Sequence, residues 1–280
     1  MGKAGNKFWT FRAAKEDKPA ELLLYGPISS TSWWGDEVTP KQFKKDLDDL
    51  GDVDEINVYI NSEGGDVFAG QAIYSMLKRH KAQINVYVDG LAASIASVIA
   101  MAGDKVYMPA NAMMMIHNPW TIALGNSEDF RKIADDLDKI RESIVVTYQD
   151  KSGMEKEKVI ELMDAETWLT AEEAVDYGFA DELEQEKDVA ASLNGGVLFL
   201  NGQKIDLSRF KNPPKLAFLP MRKGEERAAE NKKPTLDVVL RLKTEVIVED
   251  SNPKNEQTVE NGLLSLYAGQ IQVNKNRIRR

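Results

Sequence analysis

The stretch Gly90-Leu91-Ala92-Ala93-Ser94-Ile95-Ala96-Ser97 decides how the rest of the chain is read, because an apolar, β-like run enters it and a helix-like run leaves it. The entering run is Ile84-Asn85-Val86-Tyr87-Val88, β-branched and aromatic as a strand requires. Ser94 then falls at the start of a helix. There the first N–H groups have no intrahelical acceptor and can serve an incoming negative charge. Ala92, Ala93 and Ala96 are small enough to let a substrate carbonyl approach a hydroxyl on such a strand-to-helix turn. By composition alone Ser97, one helical turn later, competes with Ser94 for the same role.

Working outward, the same alternation recurs. Ala20 to Tyr25 reads as a strand stopped by Gly26-Pro27, and Thr39-Pro40 opens a helix whose inward stripe is Phe43, Leu47 and Leu50. Ile56 to Ile60 is a second strand. After Gly64-Gly65 it leads to a helix from about Asp66 to His80. Lys105 to Met108 and Ala112 to Ile116 are two further strands. Strands separated by helices imply an α/β fold with a largely parallel sheet flanked by helices.

From Ser127 to about Lys151, Phe130, Ile133, Leu137, Ile140, Ile144 and Tyr148 recur at spacings of three and four, which predicts one long helix. Its seam suits packing on another subunit as well as on its own core. A shorter helix near Glu155 to Met163 follows. Thr170 and Glu173 then form a capping box for a helix closed by Gly178. We therefore expect a segment 1–19, a catalytic-type domain 20–184, a linker or loosely ordered tail over 185–235, and a small C-terminal element over 236–280.

The 280 residues carry a net charge of −9, which argues against nucleic-acid binding, where a basic field displaces counterions. Cysteine is absent, excluding disulfides and thiolate chemistry. The first eighteen residues lack the apolar core of a signal peptide, and no run approaches a membrane span, so a cytoplasmic protein without membrane contact is expected. No metal or cofactor motif appears. His-Glu-x-x-His and the phosphate loop Gly-x-x-x-x-Gly-Lys-Ser/Thr are both missing.

Two histidines narrow the choice of base. His80, among Lys78, Arg79 and Lys81, suits an exposed helix end. His117 ends the apolar run Met113-Met114-Met115-Ile116, where active-site groups of α/β folds collect, and is the candidate base for a serine nucleophile. Gly64-Gly65, between a strand and a helix, suits close approach of a peptide backbone, with Gly64 and Asp66 flanking that path. A glycine N–H there adds an oxyanion donor to that of Ile95.

Tyr59-Ile60-Asn61-Ser62-Glu63-Gly64-Gly65, Gly90-Leu91-Ala92-Ala93-Ser94 and Met115-Ile116-His117-Asn118-Pro119 together resemble the three signature blocks of the Clp proteolytic-subunit family of serine peptidases, in order and in spacing. The resemblance covers about Leu22 to Leu183. It implies a crotonase-like β/α spiral, Ser94 as nucleophile, His117 as general base, and Gly65 with Ile95 as oxyanion donors. The helix from Ser127 would be the handle through which stacked rings of a homo-oligomer interlock. The family's third catalytic residue is an aspartate shortly before the block here written Leu169-Thr170-Ala171-Glu172-Glu173-Ala174-Val175. Alignment places Glu166 there, with Asp164 as the alternative. The segments Trp33-Trp34-Gly35-Asp36-Glu37-Val38-Thr39-Pro40 and Glu166 to Val175, with nearly a hundred extra residues, are more similar to the head-maturation proteases of tailed phages and prophages. The implied substrates are capsid or scaffold proteins. A housekeeping subunit fed by an ATPase, an acyl-CoA enzyme of the same fold, and a catalytically inactive assembly subunit are the alternatives.

Overall fold

The computed structural model describes residues 7–15, 18–30, 39–184, 191–194, 197–200, 203–207 and 210–213. The chain divides into two compact units, Met1–Lys223 and Gly224–Arg280, and every described residue belongs to the first. The expected element over 236–280 lies outside the described residues, as does most of the block from Trp33 to Pro40.

Strand β1 (Trp9–Arg12) pairs antiparallel with β2 (Ala20–Tyr25), and helix α1 (Pro40–Asp48) follows. Next come β3 (Glu55–Ser62), α2 (Val67–Lys78), β4 (Gln83–Ala93), α3 (Ile95–Ala100), β5 (Lys105–Pro109) and β6 (Met113–Ile116). Three helices, α4 (Ser127–Ser152), α5 (Lys156–Asp164) and, after β7 (Thr167–Thr170), α6 (Ala171–Asp176), precede β8 (Glu182–Glu184). Strands β1, β2, β3, β4, β5 and β8 lie in that order across one sheet, with β2 to β5 and β8 parallel. The mixed α/β architecture read from the alternation is the one observed.

Strand β4 organises the site. It is long enough to serve two partners: Asn85 to Tyr87 pair with β5, and Leu91 to Ala93 pair with β6, which continues antiparallel into β7. The ends of β4 and β6 are thereby neighbours, so what leaves one strand faces what leaves the other.

Caps form where the sequence signals them. The Thr39 side chain accepts the Gln42 N–H with Pro40 at the first helical position, and Thr170 and Glu173 close a reciprocal box. Each cap is worth ~1 kcal/mol. Helix α4 is buried only in its last third, through Ile144, Val145 and Tyr148, while Phe130 near its start is about half exposed. The predicted apolar seam thus covers its own core over its C-terminal half, and its N-terminal half is available to something else.

The structure adds detail to two of the expected segments. Part of the N-terminal segment 1–19 joins the sheet of the domain. Trp9 is buried, its indole N–H donates to Asp46 of α1 at 2.8 Å, and its ring meets Phe43 edge-on at 5.5 Å. The aromatic run Phe8-Trp9-Thr10-Phe11 carries enough apolar area to add an edge strand despite its charged flanks.

The segment expected as a linker or loosely ordered tail, 185–235, likewise contributes strands. Strands β9 (Ala191–Asn194), β10 (Val197–Leu200) and β11 (Gln203–Asp206) form an antiparallel sheet, after which Leu207 and Phe210 are buried. The physical reason lies in β6. Met113 to Ile116 are buried on both faces of the strand: Met114 and Ile116 join the main core, and Met113 and Met115 join Leu91, Ala93, Ile205, Leu207 and Phe210 in a second apolar cluster. A strand apolar on both faces must be covered twice, and the second cover comes from the C-terminal side.

Candidate active site

Ser94 stands between β4 and α3 with φ 56° and ψ −130°, a left-handed conformation that non-glycine residues rarely adopt. Neighbouring contacts hold it there. The Ser94 N–H donates to the Met115 carbonyl at 2.9 Å, and its own carbonyl accepts the Ser97 N–H at 3.0 Å. Strain maintained by its surroundings at a part-buried hydroxyl on a strand-to-helix turn resembles a nucleophile elbow.

His117, the first residue after β6, places Nε2 2.7 Å from Ser94 Oγ. The Met115 carbonyl that receives the Ser94 N–H lies two residues before that histidine, so one stretch of β6 sets both partners. With the hydroxyl donating to Nε2, Nδ1 carries the ring's proton, and Nδ1 lies 3.9 Å from Oε2 of Glu166. That separation exceeds a hydrogen bond and is within reach of charge stabilisation once the ring is protonated. Glu166 is buried, with φ 49°. The other carboxylate weighed from the sequence, Asp164, is exposed and engages Asn118 Nδ2 at 2.7 Å and Arg141 Nη1 at 3.6 Å.

Ser97 is brought to a different place. Its side chain is fully buried, with Oγ 2.6 Å from the Ser94 carbonyl, 3.0 Å from the Met115 carbonyl and 2.8 Å from the Tyr148 hydroxyl. Without access to a substrate it braces the turn. His80 lies beyond α2, where its Nδ1 accepts the Ala82 N–H at 3.1 Å, a turn-stabilising contact far along the sheet from Ser94.

The Gly64-Gly65 turn is pressed against Ser94. Gly64 has φ +88°, and a Cβ there would come 2.7 Å from both the Ala93 carbonyl oxygen and Ser94 Cβ. Ser62 braces this turn, donating to the Gly26 carbonyl at 2.7 Å and accepting the Gly64 N–H at 3.1 Å. Gly65 bridges in parallel to Ile28: the Ile28 N–H donates to the Gly64 carbonyl and the Asp66 N–H to the Ile28 carbonyl. That ladder uses the groups of Gly65's neighbours and not its own N–H. A Cβ on Gly65 would lie 2.0 Å from the Ile28 carbonyl oxygen. Ile95 opens α3, so its N–H lacks an intrahelical acceptor. Asp66 caps α2 through the Ala69 N–H at 2.9 Å and takes the Ser30 hydroxyl at 2.5 Å.

Two concavities adjoin the Ser94–His117 pair. A small one is lined by Val67, Ser94, Ile95, Val98, His117 and Tyr148. A groove of about 330 Å³ runs beside it between Gly65, Phe68, Trp120 and the α4 residues Ile133, Leu137 and Ile140, sharing Val67 and Pro119 with the first. Among the described residues there is no group of three or more acidic or histidine side chains suited to a metal ion, and no helix long and apolar enough to cross a membrane.

Sequence reasoning missed the cover on Glu166. Its Oε2 accepts the Lys211 N–H at 3.0 Å and its Oε1 the Asn212 N–H at 2.6 Å, while Phe210 lies 6.2 Å from the His117 ring. One signal was present: an apolar run filling both faces of a short strand calls for a second covering segment, although it does not say which.

The profile of the family described as Clp protease matches residues 45–187. The chain is similar to proteins named "ATP-dependent Clp protease proteolytic subunit". It shares 35% identity with that of Bacteroides fragilis, over 49% of this chain and 67% of the relative. The Deinococcus radiodurans protein is 35% identical over 49% and 68%. That of Ligilactobacillus salivarius is 38% identical over 48% and 68%.

Proposed function

The chain belongs to the Clp protease family of serine peptidases, and from that premise we propose that it is an endopeptidase acting through Ser94, His117 and Glu166 on capsid-assembly proteins of a phage or prophage. The observation that carries the catalytic assignment is the 2.7 Å contact between Ser94 Oγ and His117 Nε2 at the junction of β4 and β6.

The substrate lies extended along the groove between Gly65 and α4, with backbone hydrogen bonds supplying much of its affinity. Nε2 of His117 takes the Ser94 hydroxyl proton as Oγ attacks the scissile carbonyl carbon. The carbonyl oxygen becomes an oxyanion, received by the N–H groups of Gly65 and Ile95. Glu166 stabilises the imidazolium without taking its proton. The imidazolium then protonates the leaving amine as the C–N bond breaks, leaving an acyl-enzyme on Ser94. A water molecule, deprotonated by His117, adds to the acyl carbon. Collapse returns the proton to Oγ and frees the carboxylic acid product.

Segments resembling head-maturation proteases and a C-terminal extension that packs beside the catalytic residues support the capsid substrate. Its setting is then the host cytoplasm or the prohead interior, and the half-exposed start of α4 suits stacking of subunits into rings. A second reading, a general degradative subunit served by an ATPase, is favoured by the names of the relatives. The Ser94→Ala variant tests the chemistry: we expect loss of cleavage of a denatured polypeptide with assembly intact, and cleavage equal to that of the wild type sinks the assignment. Purified protein with and without a Clp-type ATPase separates the two roles, because a maturation protease cleaves assembly proteins without ATP.

A further inference from the structure

The family profile ends at residue 187, yet both oxygens of the buried Glu166 are held by residues beyond it. We propose that the segment from Phe210 to Asn212 is a positioning element of the active site: the Lys211 and Asn212 N–H groups hold the Glu166 carboxylate aimed at His117. This rests on the reading of Glu166 as the third member of the triad.

Three observations carry it. The Lys211 N–H reaches Oε2 at 3.0 Å and the Asn212 N–H reaches Oε1 at 2.6 Å, one donor to each oxygen. The Asn212 side chain donates to the Ala165 carbonyl at 2.7 Å, tying the segment to the residue before Glu166. Phe210 is buried against the Trp168 ring edge at 5.2 Å and faces His117, and Ile205 and Leu207 fasten the approach to the apolar face of β4 and β6.

The physics of a buried carboxylate explains why such an element is needed. Glu166 is only 5% exposed, and a buried carboxylate without hydrogen-bond partners is costly. Hydrogen bonds from two N–H groups, one to each oxygen, offset that cost. They also leave a lone pair free on Oε2, the oxygen 3.9 Å from Nδ1, so the segment does not compete with the histidine for the carboxylate. Glutamate carries one more methylene than the aspartate implied by the family resemblance, and a pair of fixed donors limits where its longer side chain points.

A double-mutant cycle tests the proposal in the full-length chain. Asn212→Pro removes the N–H that meets Oε1, and Asn212→Ala keeps it. We expect Asn212→Pro to lower kcat on the order of 10- to 100-fold with little change in KM, and Asn212→Ala to restore most of that loss. In a Glu166→Ala background the proline should cost nothing further, because the element acts only through the carboxylate. The same loss repeated in full in that background overturns the proposal, as does unchanged kcat in the single proline variant. A rise in kcat overturns it too, since the segment would then be a restraining strap. Amide hydrogen exchange gives a measure that needs no proline. Lys211 and Asn212 should be protected in the wild-type protein and exchange at least ~10-fold faster in Glu166→Ala, and equal exchange in the two proteins overturns the contact. Should Glu166→Ala leave kcat unchanged, the triad reading fails instead, and the exchange data still report whether the segment binds the carboxylate.

Discussion

Replacing Ser97 by alanine separates a brace from a nucleophile, and the structure sets the size of the effect. The Ser97 hydroxyl touches three oxygens, of which two keep other partners when it is removed. The Met115 carbonyl still receives the Ser94 N–H, and the Ser94 carbonyl still receives the Ser97 N–H. Among the described residues, the Tyr148 hydroxyl on α4, in a side chain only 1% exposed, is the group left without its hydrogen-bond partner. Burial pushes that phenol's pKa upward, so it stays a neutral O–H through the working pH range and cannot escape the deficit by ionising. Leaving one buried hydroxyl unsatisfied costs about 1–3 kcal/mol. For a unit of this size that lowers Tm by roughly 2–4 °C per kcal/mol. Adding Tyr148→Phe removes the orphan, so the double variant should be no less stable than Ser97→Ala alone, with a coupling of about 1–2 kcal/mol. The measurements are denaturant unfolding of the four proteins of the cycle and kcat on a peptide substrate. We expect Ser97→Ala to keep kcat within about tenfold of the wild type, since the backbone bonds that hold Ser94 survive. Additive stabilities would refute the hydrogen-bond bookkeeping. Abolished cleavage in a Ser97→Ala protein of undiminished stability would refute the choice of Ser94 over Ser97.

Three further outcomes follow from the geometry. Gly64→Ala forces a methyl group to 2.7 Å from Ser94 Cβ and from the Ala93 carbonyl oxygen at φ +88°. Ser94 must shift, and kcat should fall on the order of 10²-fold; steady-state kinetics near wild-type values would mean the turn yields instead. Glu166→Gln, uncharged, should lower kcat by roughly 10²–10⁴-fold, while Asp164→Asn, which disturbs only the contacts to Asn118 and Arg141, stays within a few-fold. The reverse ranking in parallel assays would transfer the acid role to Asp164. Phe210→Ala removes the ring packed on Trp168 and facing His117, so it should destabilise by about 3 kcal/mol and raise proteolytic sensitivity between residues 200 and 213. An unchanged digestion pattern would show that this cover is not anchored by its aromatic residue.

Much of the site was legible because its signals are local. The strand-to-helix turn at Ser94, the glycine pair after β3 and the histidine at the end of β6 each announce themselves within a few residues, and so do the caps at Thr39 and Thr170. Period and capping follow from side chains three or four positions apart on a helix, or alternate positions on a strand. The α/β class and the length of α4 came from the same source. Burial of both faces of β6 was also written in its four consecutive apolar residues, as a demand for a cover.

Which groups meet that demand was decided only by the tertiary structure. Nothing in the neighbourhood of Glu166 announces that Lys211 and Asn212, 45 and 46 positions later, donate to its two oxygens. Backbone N–H groups are present at almost every residue and carry no side-chain signature. Ser94 and Ser97 are equivalent in composition and separate only when Tyr148, 51 residues beyond Ser97, closes over the second of them. Asp164 and Glu166 stand two residues apart, and the turn between α5 and β7 directs the first to Arg141 and the second to the histidine side. Sequence by itself determined the chemical types and their positions at strand ends. Folding decided which hydroxyl stayed accessible and which carboxylate was buried, because accessibility and burial depend on segments that approach from far along the chain.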